Sequence, residues 1–145
     1  EYDMGMVMMD TMQFEQAIAH FERASRGPTR TLAALEMLGN CYRQKGQPIE
    51  AIEYYARALE SGAEGAAASN LKYEIGAAYE EAGELTLSLE WMEKCAADDD
   101  THRDVEARID SLVKQLGVPT NGASGPARSG RRGPTTGKKS KISYL

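Results

Sequence analysis

The chain has 145 residues, 27% of them charged, and a net charge of −5 that hides a division along its length. All 22 acidic residues lie in residues 1–116 beside 11 basic ones, a net of −11, whereas the last 29 residues hold six basic side chains and no acidic ones. Such a body repels polyanions, and with no apolar run of about 20 residues the sequence offers no membrane span.

Three segments follow one another with the same spacing. The first carries Met4-Gly5 and Met8, then Ala17, Phe21 and Ala24. The second carries Leu38-Gly39 and Tyr42, then Ala51, Tyr55 and Ala58; the third carries Ile75-Gly76 and Tyr79, then Ser88, Met92 and Cys95. Gly5 and Gly39 are 34 residues apart, Gly39 and Gly76 37. Bulky, small and aromatic residues followed by small, aromatic and small ones at this period resemble the tetratricopeptide repeat over roughly residues 1–100. The resemblance implies an all-α fold: a right-handed solenoid of antiparallel helix pairs, about three units with the first one truncated. Gly39, Ala51 and Ala58 are expected to let the helices of a pair approach closely, while Tyr42 and Tyr55 fill the volume between neighbouring pairs.

Some positions depart from the pattern. Met12 stands where the other units have the turn glycines Gly46 and Gly83, so the first turn is the least determined. Pro28 falls one residue before the usual closing proline, and Ala63 and Asp100 occupy that place in later units. The three extra residues before the third unit fall in Gly62–Ala68 and predict a longer connection. Residue 1 is Glu, and the first helix lacks its opening residues when counted back from Gly5, which reads as the C-terminal piece of a longer, bacterial repeat protein.

After the third pair, Asp98-Asp99-Asp100-Thr101 offers capping oxygens for a helix over about 101–116, whose apolar face is Val105, Ile109, Leu112, Val113 and Leu116. Asp110 at the small-residue position makes this a capping helix instead of a fourth repeat. The solenoid thus spans residues 1–116. Residues 117–145 form a non-helical Gly/Pro/basic linker ending in Ile142-Ser143-Tyr144-Leu145 behind Lys138-Lys139-Ser140-Lys141. That ending has the composition of a tethered ligand, built on Lys138, Lys139, Lys141, Ile142, Tyr144 and Leu145, or of a solubilising terminus.

Little in the chain points to chemistry. Cys41 and Cys95 sit at packing positions in different units, which predicts structural thiols and favours a reducing, cytoplasmic compartment. His20 and His102 lack a second ligand at metal spacing, and the Asp98–Asp100 run lacks the Gly and distal Glu of a calcium loop. No catalytic residue, metal or cofactor is therefore predicted, and the expected function is non-enzymatic protein interaction.

In the tetratricopeptide family the first helices of successive pairs line a concave groove. Carried over residue by residue, the resemblance implies a lining of Tyr2, Asp3, Met6, Met9 and Asp10, then Glu36, Met37, Asn40, Arg43 and Gln44. It continues with Asn70, Tyr73, Glu74, Ala77, Glu80 and Glu81, and the capping helix adds Asp104 and Arg108. Acidic groups with adaptable thioethers suit a basic, partly apolar protein or peptide partner. One subset of the family clamps a C-terminal carboxylate with Lys, Asn and Arg; here the matching positions are Tyr2, Met6, Met37, Asn70 and Glu74, so that clamp is absent. The chain's own tail fits the predicted ligand, in cis or on a neighbouring copy, because about 25 linker residues reach roughly 80 Å when extended. Two rival readings are a regulatory or assembly domain for bacterial envelope, pilus, secretion or motility machinery, and nucleic-acid contact through Arg128, Arg131, Arg132, Lys138, Lys139 and Lys141. The second is disfavoured by the acidic body and by Tyr144 as the tail's one stacking side chain.

Overall fold

The computed structural model describes residues 1–117, all helix and connection. The seven helices are α1 (Tyr2–Asp10), α2 (Phe14–Ser25), α3 (Thr31–Gln44), α4 (Pro48–Glu60), α5 (Gly65–Glu81), α6 (Leu85–Asp98) and α7 (Val105–Leu116). Glu1–Leu112 is one compact unit, in which α1 packs on α2, α3 on α4 and α5 on α6, and each pair packs on the next. The described residues thus form an all-α repeat solenoid. The readings of the tail from residue 118 onward lie outside the described residues.

The repeat pattern has a steric cause that recurs in each pair. A Cβ on Gly5 would stand 2.6 Å from the Phe21 ring, one on Gly39 2.5 Å from the Tyr55 ring, and one on Gly76 3.1 Å from the Met92 side chain. A large side chain of the second helix therefore lies directly over a glycine of the first. Phe21, Tyr55 and Met92 are fully buried, and such burial stabilises by about 2–3 kcal/mol per side chain. Tyr55 thus packs within its own pair, across Gly39. Tyr42 likewise stacks on Tyr54 of its own pair, with ring centroids 5.3 Å apart. In the third pair the small position is Ser88, fully buried, whose hydroxyl donates to the Gly76 carbonyl at 2.7 Å and so carries no unsatisfied polar cost.

All three turns within pairs are closed alike. Gln13, Gln47 and Glu84 donate their backbone N–H to the carbonyls of Met8, Tyr42 and Tyr79 at 2.7, 2.8 and 2.9 Å. Met12, Gly46 and Gly83 sit at the left-handed position, with φ of 61°, 80° and 83°. This is the Schellman arrangement, and it settles the first turn: Met12 adopts the glycine conformation at a steric cost. Its side chain is 71% exposed, so little packing repays that cost. Met12→Gly should therefore raise stability by about 0.5–1 kcal/mol after the greater unfolded-state entropy of glycine is counted. Urea unfolding with an unchanged slope and a later midpoint is the expected result.

The three extra residues of the third unit do not lengthen a connection. Residues 61–64 link α4 to α5, one residue fewer than the 26–30 link between α2 and α3. Instead α5 has 17 residues against 14 in α3, and the addition lies before Gly76. Ala66, Ala67 and Ala68 are the strongest helix formers available, so they extend the helix backwards to Gly65.

The acidic run also differs from expectation. Asp98 is the last residue of α6, and Asp99 Oδ1 accepts from the N–H and hydroxyl of Thr101 at 3.0 and 2.6 Å, which turns the chain locally. α7 begins only at Val105 and buries Val105, Ile109 and Leu112, with Asp110 exposed. Among the described residues no further helix follows it.

Candidate functional site

The first helices of the pairs bring their side chains to one face. Met9 of α1, Asn40, Arg43 and Gln44 of α3, and Glu74 and Glu81 of α5 surround an open cavity of about 500 Å³ with Arg103 from the α6–α7 turn. Six of these seven belong to the lining that the repeat offsets imply. Arg103 does not, because it lies in a connection for which the repeat defines no position.

The charged groups of this face are largely joined to one another. Arg43 donates from Nε to the two Glu81 oxygens at 3.3 and 3.2 Å and from Nη1 to Glu74, so it ties α3 to α5. Arg103 reaches the other Glu74 oxygen at 2.7 Å and the Asn70 side-chain oxygen at 3.1 Å. Asn70 in turn donates to Glu36 at 3.0 Å. Burial raises the Glu36 carboxyl above its ordinary value; the Asn70 amide acts in the opposite sense, and the Glu74 charge adds to the rise. Arg108 pairs with Glu80 at 2.8 Å, and the Tyr73 hydroxyl donates to Asp104, a bond that lowers that carboxyl.

The remaining implied residues divide into buried and open ones. Tyr73 and Ala77 are 2% and 3% exposed, which puts Ala77 in the core and Tyr73 beneath Arg103, whose guanidinium carbon is 3.9 Å from the ring centroid. Tyr2 meets Phe21 edge-on at 5.5 Å and is covered by Arg30 at 4.6 Å. Met6 and Met37 are half-buried against the core, and the Met37 sulfur accepts from Asn40 at 3.6 Å. Asn40 also accepts from the Tyr55 hydroxyl at 2.5 Å. At the α1 end the carboxylates are open: the Asp3 side chain is 92% exposed, 3.7 Å from Arg30, and Asp10 is exposed. Lys138, Lys139, Lys141, Ile142, Tyr144 and Leu145 lie outside the described residues.

The groups considered for chemistry are engaged in packing and surface bonds. Cys41 and Cys95 are free and fully buried, and burial pushes both thiols up to about 11, so neither is a thiolate at neutral pH. The Cys95 thiol donates to the Ser69 carbonyl at 3.4 Å. His20 Nδ1 lies 2.8 Å from Glu1, and His102 Nε2 lies 3.4 Å from the Asn70 oxygen. Among the described residues no cluster of three His, Cys, Asp or Glu could hold a metal, and no helix is long and apolar enough to cross a membrane.

Comparison with known proteins agrees with the geometry. Residues 1–64 match the family model described as Tetratricopeptide repeat, whose members are protein–protein interaction modules and typically non-catalytic. No curated protein matches the chain in sequence. Among solved structures, the chain is similar to the TPR2AB domain of yeast Sti1 in its complex with pHSP90, with a TM-score of 0.71 and 24% identity. The match covers 80% of this chain and 46% of that one, so the chain spans less than half of that relative, and the likeness is one of fold. With the Gly5, Gly39 and Gly76 packing repeated in three helix pairs, the chain has the helical-repeat fold of that domain, and its residues 1–64 match the tetratricopeptide repeat, a family of protein–protein interaction modules.

Proposed function

We propose that the face formed by α1, α3 and α5 binds a basic, partly apolar peptide, and that the chain's own ending, residues 138–145, is one such ligand in cis or between copies. The observation that carries this reading is the charge of the face. Seven carboxylates (Asp3, Asp10, Glu36, Glu74, Glu80, Glu81 and Asp104) meet four guanidinium groups (Arg30, Arg43, Arg103 and Arg108), with Arg30 3.7 Å from Asp3. At the α1 end Asp3 and Asp10 are exposed beside the half-buried thioethers of Met6 and Met9. A Lys-rich segment with an apolar end complements both features. The Sti1 domain was described with a chaperone partner, but the residues at this chain's clamp positions, Tyr2, Met6, Met37, Asn70 and Glu74, include no Lys or Arg to hold a carboxylate.

Tethering puts the tail at an effective concentration in the millimolar range, so a weak contact is occupied and competes with other ligands. The test is fluorescence anisotropy with a labelled peptide of sequence 138–145. A chain lacking these eight residues should bind it more tightly than the full chain, and Asp3→Lys with Asp10→Lys should weaken binding at least about tenfold. An unchanged affinity in the charge-reversed variant would remove the acidic face from the account.

A further inference from the structure

We propose that Asn70, Tyr73 and Glu74 form an arginine-recognition site on the concave face that the chain fills with its own Arg103, so that a partner's arginine binds by displacing it. The inference deepens the reading of this face as a receptor for basic segments and rests on it.

The three groups complement a guanidinium from three directions. Glu74 supplies a carboxylate oxygen at 2.7 Å, Asn70 an amide oxygen at 3.1 Å, and Tyr73 an aromatic surface 3.9 Å below the guanidinium carbon. A charged acceptor, a neutral acceptor and a π face satisfy the planar fork in ways that a compact ammonium cannot reproduce. All three side chains come from α5 at positions i, i+3 and i+4, so they share one side of one helix. Their placement is also held independently of Arg103. Asn70 is bonded to Glu36, Glu74 to Arg43, and Tyr73 to Asp104 with its ring buried.

The occupant is held differently. Arg103 belongs to the turn between α6 and α7, its side chain is 45% exposed, and its backbone adopts φ of 51°, a left-handed conformation costly for a residue with a Cβ. A site whose groups are held by other partners, filled by a half-exposed side chain from a turn, favours exchange. The site borders the 500 Å³ cavity, from which a ligand side chain can approach. Arg103 therefore acts as a built-in competitor that sets a threshold for basic partners.

Chemical rescue tests this without knowledge of the partner. In the full-length chain, Arg103→Gly removes the side chain and relieves the left-handed strain, so the variant is expected to fold; Arg103→Asn is a second variant that tolerates the same backbone. With 20 mM ethylguanidinium, the melting midpoint of either variant should rise by roughly 5 °C, given low-millimolar affinity. The wild type should not rise, ethylammonium should give under half the effect, and Glu74→Gln added to Arg103→Gly should abolish it. Equal responses to the two cations, or none in either variant, would overturn the proposal and leave Arg103 as a strut for the α6–α7 turn. The outcome is separable from peptide binding. Rescue without binding of peptide 138–145 keeps the arginine site and discards the acidic-face reading, while peptide binding without rescue does the reverse.

Discussion

Gly39→Ala is expected to cost about 2 kcal/mol of stability, while Gly76→Ala, the same change at the same repeat position, should be close to neutral. Both substitutions gain about 1 kcal/mol in helix propensity, so the difference must come from what the new methyl group meets. At Gly39 it would stand 2.5 Å from Cε1 and 2.7 Å from Cδ1 of Tyr55. That ring is fully buried, and its hydroxyl is fixed at Asn40, so it cannot turn aside without breaking a bond. Overpacking of this kind costs about 3 kcal/mol, the upper end of the usual range. At Gly76 the nearest atoms, 3.1–3.2 Å away, are those of the flexible Met92 chain, which can shift by tenths of an ångström. In a chain of this size the Gly39 variant should melt roughly 8–10 °C lower than the wild type. Tyr55→Leu supplies the control: combined with Gly39→Ala it should cost less than the two single changes added, by about 1 kcal/mol or more. Additive effects would show that the ring does not set the requirement for glycine.

What the sequence disclosed about this fold follows from the range of the forces involved. The glycine and its covering side chain are always 16 residues apart, so steric fit between paired helices leaves a short-period trace that three copies make visible. The end of α7 was legible for a similar reason, because Gly117 takes φ of 70° where the helix stops. Met12 was harder to read, since the turn bonds from Gln13 and Met12 are made by backbone atoms that any residue carries, and the local cost is tolerated. The extra turn of α5 was misplaced because Gly62 and Gly65 signal a connection more loudly than Ala66–Ala68 signal a helix. Six of the seven residues around the cavity stand at the repeat offsets of the first helices. Those offsets could not show that Arg43 pairs with residues 31 and 38 positions away, or that Arg103 crosses 29 positions to Glu74. Those pairings depend on how the helices are juxtaposed, and they turn an apparently open row of carboxylates into a network that ties α3, α5 and the α6–α7 turn together.

Arg43→Met should destabilise the chain by about 2 kcal/mol and loosen the face formed by α3 and α5 as it does so. Methionine keeps the aliphatic stem over the core and deletes the guanidinium, so the change isolates the ionic contribution. Arg43 is 21% exposed and Glu74 16%, whereas Glu81 is 45% exposed. A fully exposed pair contributes at most about 1 kcal/mol and a broken buried pair costs about 3–5 kcal/mol, which places this half-buried network between the two. Glu74 would keep Arg103 as a partner, whereas Glu81 would lose the cation that holds it to α3. The coupling measured by double-mutant cycles should therefore be larger for Arg43 with Glu74, where water screens less, than for Arg43 with Glu81. Added salt should weaken the Glu81 coupling first. Because Arg43 joins α3 to α5 across the face, its loss also frees those helices to separate, and amides near residues 40–44 and 74–81 should exchange faster with solvent than those at Phe21 or Tyr55. A variant that lost stability uniformly, with equal couplings to both carboxylates, would mean that Arg43 contributes general charge balance and that the spacing of the face is set by the glycine-centred packing alone.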